Sequence, residues 1–283
     1  MSAPPALAAY QDPLVGRLIG ERYIVLRELA AGDAARLLLG EDARMGRQAV
    51  IKLVNPALTA TDEAYERLRE RAARASLIIH RSVAPIYDIG RTPDGLLFIA
   101  AASPEGVPLP TLLDAGDGRG ARALPPARAF SIVQQAAAAL AVAHGLGVAH
   151  GNLTADDIFI GEGDRVQLIG FGIGRLDALP GEEPDAADDV RRLTGILHRM
   201  LGSAPAAAAL ARRFTTAEEL RDAVADAALR LTQGGRRVEL PPTLARHGAS
   251  GQPEGARRQR MVVTMGVALA IVGAAIAAVR LFR

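Results

Sequence analysis

Strand-like and helix-like apolar patterns are segregated along this chain, and that segregation limits what it can fold into. From Arg22 to Asp42 the text reads as strands: Tyr23-Ile24-Val25-Leu26, then Arg36-Leu37-Leu38-Leu39, with Gly32-Asp33 between them as a hairpin turn. A third strand carries Lys52, and Val83 to Asp88 and Gly95 to Ala101 read as two more. The only helical text among them is 61–78, a charged amphipathic stretch with Tyr65, Leu68 and Ala72 at helical spacing. After the linking Ser103 to Val107 the pattern turns helical. Pro126 opens a helix at its first turn, where the missing N–H costs nothing, and the helix runs to about His144. Asp189 to Leu201 and Ala217 to Leu231 follow, the latter started by Thr215 or Thr216 with Glu219 as a capping box. Strands first and helices after predict an α+β class. An apolar fraction of 49% with only 4% aromatic residues means a core built mainly from Ala, Leu, Val and Ile.

The C-terminal text differs in kind. Residues 233–260 form a basic, flexible linker carrying Arg236, Arg237, Arg246, Arg257, Arg258 and Arg260. Residues 261–279 are nineteen in a row without a charge. At about 1.5 Å per residue this run crosses a hydrocarbon core of about 30 Å, so a transmembrane helix is expected. Three arginines flank it on one side and, in the short tail 280–283, two on the other. With an N-terminus (1–19) that lacks a signal-peptide pattern, the expectation is a single-pass protein of the cytoplasmic membrane with its N-terminal domain in the cytoplasm. The linker arginines serve either as topology determinants or as contacts to anionic lipid. A net charge of +2 gives no case for nucleic acid, and the absence of cysteine excludes disulfides and thiolate metal sites.

Two short motifs carry the chemistry. Gly147-Val148-Ala149-His150-Gly151-Asn152-Leu153 precedes Ile158-Phe159-Ile160, and Val166-Gln167-Leu168-Ile169 leads into Gly170-Phe171-Gly172, with Gly170 eighteen positions after Asn152. Upstream, Gln48-Ala49-Val50-Ile51-Lys52 holds the one lysine among 33 basic residues. Together these resemble the bacterial serine/threonine protein kinase family over roughly residues 20–232. The resemblance implies a two-lobed fold: a small five-stranded lobe with one helix (about 20–102) and a mainly helical large lobe (about 108–232).

What the resemblance implies for the site is mostly loss. Asn152 stands where the family has its catalytic Asp, Gly170 where it has the magnesium-holding Asp, and Thr154 where it has a phosphate-directed Lys. An amide is no proton acceptor at neutral pH, and glycine offers no side-chain oxygen. Gly151 replaces an Arg that receives a phosphorylated segment. In the phosphate-covering loop, Leu29 to Leu37, only Gly32 matches a family glycine. The position that pairs with the strand lysine falls on Arg71, with Glu70 beside it. Asp157, beside Asp156, occupies a second metal position and is the metal candidate; Lys52 and Gly32 are the nucleotide-binding candidates. Lys52 is thus exposed, paired with another acid, or neutralised by a bound phosphate. His150, Phe171 and Asp189 are structural, Asp189 capping backbone N–H groups near His150. The segment 173–188 is short for the family's activation segment, and helices of the large lobe are missing.

Loss of a general base alone lowers a rate by roughly 10²–10⁴. The expectation is therefore a membrane-anchored, degenerate member, a pseudokinase, that works as a binding scaffold or regulator. Its partners are the bilayer and a protein. It requires no cofactor, with ATP, with or without magnesium, bound weakly at most. The alternative is an atypical ATP-dependent serine/threonine kinase or a nucleotide-sensing switch.

Overall fold

Alternating side chains in the first hundred residues build one antiparallel sheet in the computed structural model, which describes residues 13–114, 122–171, 185–208, 210 and 212–234. Its strands are β1 (Leu18–Ile19), β2 (Tyr23–Ala31), β3 (Ala35–Asp42), β4 (Arg47–Val54), β5 (Ile86–Arg91) and β6 (Leu97–Ala102), in the order β1-β2-β3-β4-β6-β5. The sheet has six strands, not the expected five. The extra one, β1, is two residues long and pairs with the start of β2 after a turn in which Gly20 and Glu21 both take positive φ. A segment that short carries no periodicity to read.

The fourth expected strand also moves, from Val83–Asp88 to Ile86–Arg91. Val83 and Ala84 instead join the backbone of residue 168: Ala84 N–H donates to the Leu168 carbonyl and Leu168 N–H to the Ser82 carbonyl, both at 2.8 Å. This pairing ties the strand-rich half to the helical half beside the site.

Register decides which side chains face where. Leu37, Lys52 and Ile99 align across β3, β4 and β6, and Leu39, Val50 and Ala101 form the next row. The intervening residues Leu38, Ile51, Phe98 and Ala100 point to the opposite face and pack with Tyr23 and Val25. Helix α1 (Asp62–Ala75) covers the first face through Tyr65, Leu68 and Ala72, packed with Leu97 and Ile99. Its N-terminus is set by Thr61, whose hydroxyl accepts from the Ala64 N–H at 3.2 Å.

The second half is mainly helical: α2 (Leu109–Leu113), α3 (Pro126–Gly145), α4 (Ala186–Leu201), α5 (Pro205–Ala208) and α6 (Ala217–Gly234). A small antiparallel sheet of β7 (Val107–Pro108), β8 (Ile158–Ile160) and β9 (Val166–Leu168) lies beside them, in the order β7-β8-β9. Helix α3 buries Ala129, Ala136, Ala137, Ala139 and Ala143 with Phe130, Ile132, Val133 and Leu140. Its methyl-sized side chains let α4 and α6 pack closely against it. Capping sets the starts of α4 and α6: Asp185 accepts from Ala187 N–H at 3.0 Å, and the Thr216 hydroxyl from Glu219 N–H at 3.2 Å.

The chain divides into two units, 1–237 and 238–283, and the second lies wholly outside the described residues. So do the expected transmembrane run 261–279 and residues 172–184 of the expected activation segment. Among the described residues no helix is long and apolar enough to cross a membrane.

Candidate functional site

A cavity of about 610 Å³ lies where the two lobes meet. The strand register supplies its roof: Leu37, Lys52 and Ile99 from one row, Leu39, Val50 and Ala101 from the next. Ser103 and Pro104 form one side. Asp156, Asp157, Phe159 and Ile169 to Phe171 form the floor. Two of the expected site residues thus meet across it, Lys52 from the small lobe and Asp157 from the large one. Gly170 and Phe171 also line it. Gly32, Asn152 and Thr154 do not: Gly32 is exposed in the hairpin, its N–H donating to the Ala35 carbonyl at 3.1 Å, and Asn152 is half-buried off the wall.

Lys52 is half-buried, and burial pushes its pKa below the ordinary lysine value while the negative charge of Asp157 opposes that shift. Asp157 itself is partly committed. Its Oδ2 accepts from the Thr154 N–H and hydroxyl, both at 2.8 Å, closing a capping box over the short 3₁₀ turn Ala155–Asp157. The spacing Thr-x-x-Asp signals this cap in the sequence, and there it went unread.

Gly170 takes φ +84°. A Cβ there would meet Asp157 Oδ1 and His150 Cε1 and Nε2, each at 3.7 Å, which is ordinary contact. His150 is buried. Its Nε2–H donates to the Ile169 carbonyl at 2.7 Å, its ring stands edge-on to Phe171 at 5.1 Å between centroids, and its Nδ1 has no hydrogen-bond partner among the described residues. Asp189, at the start of α4, is buried and collects three donors: His150 N–H at 2.7 Å, Gly151 N–H at 3.0 Å and His144 Nε2 at 3.0 Å. Those bonds hold the loop 150–151 in place.

On α1, Glu70 is exposed and Glu66 pairs with Arg69 at 2.6 Å, whereas Arg71 is buried on the face that carries Ala75 to the cavity. The inward position is therefore basic. Among the described residues no three His, Cys, Asp or Glu side chains gather to hold a metal ion. Sequence reasoning also passed over Pro104 and Ala101. A proline on a cavity wall announces a missing N–H, and Ala101 places only a methyl group in its row.

No family model matches the chain. Over 179 residues it is 33% identical to serine/threonine-protein kinase pkn2 of Myxococcus xanthus, covering 62% of this chain and 20% of that protein. Over 169 residues it is 32% identical to serine/threonine-protein kinase PknD of Mycobacterium tuberculosis, covering 60% and 24%. The chain thus spans about a fifth to a quarter of the length of these curated relatives. Its structure superposes on the PknI kinase domain of Mycobacterium tuberculosis with a TM-score of 0.57 at 22% identity, covering 75% of this chain and 98% of that domain. A variant of the same domain gives 0.62. The two-lobed architecture is that of a protein kinase domain.

Proposed function

We propose that the chain is a member of the bacterial serine/threonine protein kinase-like family without phosphotransferase activity, working by binding as a membrane-anchored scaffold or regulator. The observation that carries this reading is the supply of oxygen at the cavity floor. Phosphoryl transfer depends on positioning and on neutralising charge through metal-bridged phosphates. Gly170 brings no side-chain oxygen, Asn152 brings an amide off the cavity wall, Asp157 has one oxygen tied to Thr154, and the Asp156 carboxylate is exposed. These residues do not fit a magnesium-bound nucleotide poised for transfer. The preserved part is the frame: Asp189 still fastens the loop at His150 and Gly151.

Incubating the full chain with radiolabelled ATP, magnesium and a generic protein acceptor tests this. Incorporation should not exceed background, and Lys52→Met should change nothing. Incorporation that Lys52→Met abolishes overturns the reading in favour of an atypical kinase.

Nucleotide sensing without transfer is a second reading, favoured by Lys52 and Asp157 lining the same cavity from the two lobes. It requires a rise in thermal stability with magnesium and ATP. The anchor is the run 261–279, and the greater arginine count on its N-terminal side favours a kinase-like part facing the cytoplasm. The partner held there is a protein.

A further inference from the structure

We infer that the cavity takes an uncharged, planar aromatic ligand bearing hydrogen-bond donors, and that Pro104 and Ala101 set this preference. The inference goes beyond the proposed loss of phosphotransfer and runs against the nucleotide-sensing reading. Three features of the wall carry it.

The first is the stretch 102–105. An adenine edge places an amine donor beside a ring-nitrogen acceptor, so reading it takes a backbone carbonyl and an N–H together. Here the Ala102 N–H already donates to the Pro85 carbonyl at 2.9 Å, and the Glu105 N–H donates to Gln167 Oε1 at 3.1 Å. Pro104, on the cavity wall between them, has no N–H. Among the described residues nothing donates to the carbonyls of Ser103 or Pro104. The backbone of Ser103 and Pro104 offers two carbonyls against the single N–H of Ser103, and the Ser103 hydroxyl serves either way, so the stretch favours a donating edge.

The second feature is charge. The side chains on the wall include two bases, Arg27 and Lys52, and two acids, Asp156 and Asp157. Their charges cancel, and Arg27 is exposed. A triphosphate brings several negative charges into this balanced site, and among the described residues no three His, Cys, Asp or Glu side chains gather to bind a metal that would offset them. Desolvating those charges without compensation is costly. A neutral ligand avoids the penalty.

The third is shape. The cavity does not stop at β6. Its lining reaches beyond the strands to Ala75 on α1, Val83 and Phe171. Ala101 sits in the row Leu39–Val50–Ala101, and its methyl leaves that passage open. Behind it the walls are apolar, and the volume of about 610 Å³ lies within the range of about 300–1,000 Å³ usual for small-molecule sites. An extended ring system fills such a space through dispersion and burial of apolar area.

Thermal unfolding of the full chain in mild detergent tests the inference, with para-hydroxybiphenyl, adenosine, ATP and ATP with magnesium as probes. At ten times its dissociation constant, para-hydroxybiphenyl should raise the midpoint of the native sequence by about 3–6 °C. Ala101→Phe, which blocks the passage, should abolish that rise; Ala101→Leu serves if the phenylalanine variant does not fold. Adenosine and ATP, with or without magnesium, should give no rise. Pro104→Ala returns an N–H to the wall and should gain a response to adenosine. A response of the native sequence to adenosine or ATP, no response to para-hydroxybiphenyl, or an equal response in the blocked variant overturns the inference. An unresponsive Pro104→Ala removes Pro104 from it. None of these outcomes bears on label transfer, so this inference and the proposed inactivity fail separately.

Discussion

Gly170 has the backbone angle of a residue that few side chains tolerate, φ +84°, yet it has room for a side chain. Aspartate and asparagine are the non-glycine residues that enter this left-handed region most readily. The atoms facing the absent Cβ are 3.7 Å away, so packing does not forbid a carboxylate. Gly170→Asp should therefore fold, at a cost of about 1–2 kcal/mol from the backbone. The new carboxylate would stand beside Asp157, and two like charges in one site repel unless a cation joins them. The variant should then melt at a higher temperature with millimolar magnesium than without it, a difference the native sequence lacks. Equal melting temperatures would mean that the floor of the cavity cannot be turned back into a metal site by one oxygen. At this scale the sequence was informative where residue type alone decides: a glycine has no oxygen in any fold. It was less informative about Asp157, because whether a carboxylate is free depends on Thr154 folding back onto it.

The elements were legible where they are long and periodic. Within a strand the two-residue pleat period puts Lys52 on the same face as Val50 and Ile99 on the same face as Ala101, and the periodicity of α1 puts Tyr65, Leu68 and Ala72 on one face. Elements set by long-range pairing were not legible. Strand β1 has two residues, and Val83 reads as a strand residue but only bridges to Leu168, through the hydrogen bonds of its neighbours Ser82 and Ala84. The link between the lobes is a case of the same kind. Gly106 has φ +90°, and a Cβ on it would lie 2.1 Å from the Ile160 carbonyl oxygen, a backbone atom that cannot swing away. Here β7 comes alongside β8, so the glycine sets how the stretch from Pro104 enters the large lobe. Gly106→Ala should destabilise by well over about 1 kcal/mol, since both the angle and the contact oppose it. Chemical denaturation measures this, with Gly163→Ala as the comparison: that position also has positive φ, but no atom lies within 4 Å of its missing Cβ. If the two cost the same, the backbone angle alone accounts for Gly106, and the approach to Ile160 contributes nothing.

At the scale of the molecule, the kinase-like part and the proposed anchor are joined by the arginine-bearing stretch after α6. Two forces compete to hold such a molecule to lipid: insertion of the apolar run and attraction of arginines to anionic headgroups, the latter about 1 kcal/mol per residue near the surface and screened by salt. They respond differently to perturbation. An arginine placed mid-run by Ala270→Arg adds a positive charge, so it strengthens surface attraction while opposing insertion by about 2.5–3.5 kcal/mol. That corresponds to a loss on the order of a hundredfold in the insertion equilibrium. If the run is the anchor, the native full chain should float with phosphatidylcholine–phosphatidylglycerol vesicles and stay with them in molar salt. Ala270→Arg should then shift the protein toward the soluble fraction. If the arginines are what hold it, molar salt should strip the native chain from the vesicles, and Ala270→Arg should bind at low salt at least as well. The second pattern would leave the kinase-like part a peripheral protein, and the reading of residues 261–279 as a membrane span would be wrong.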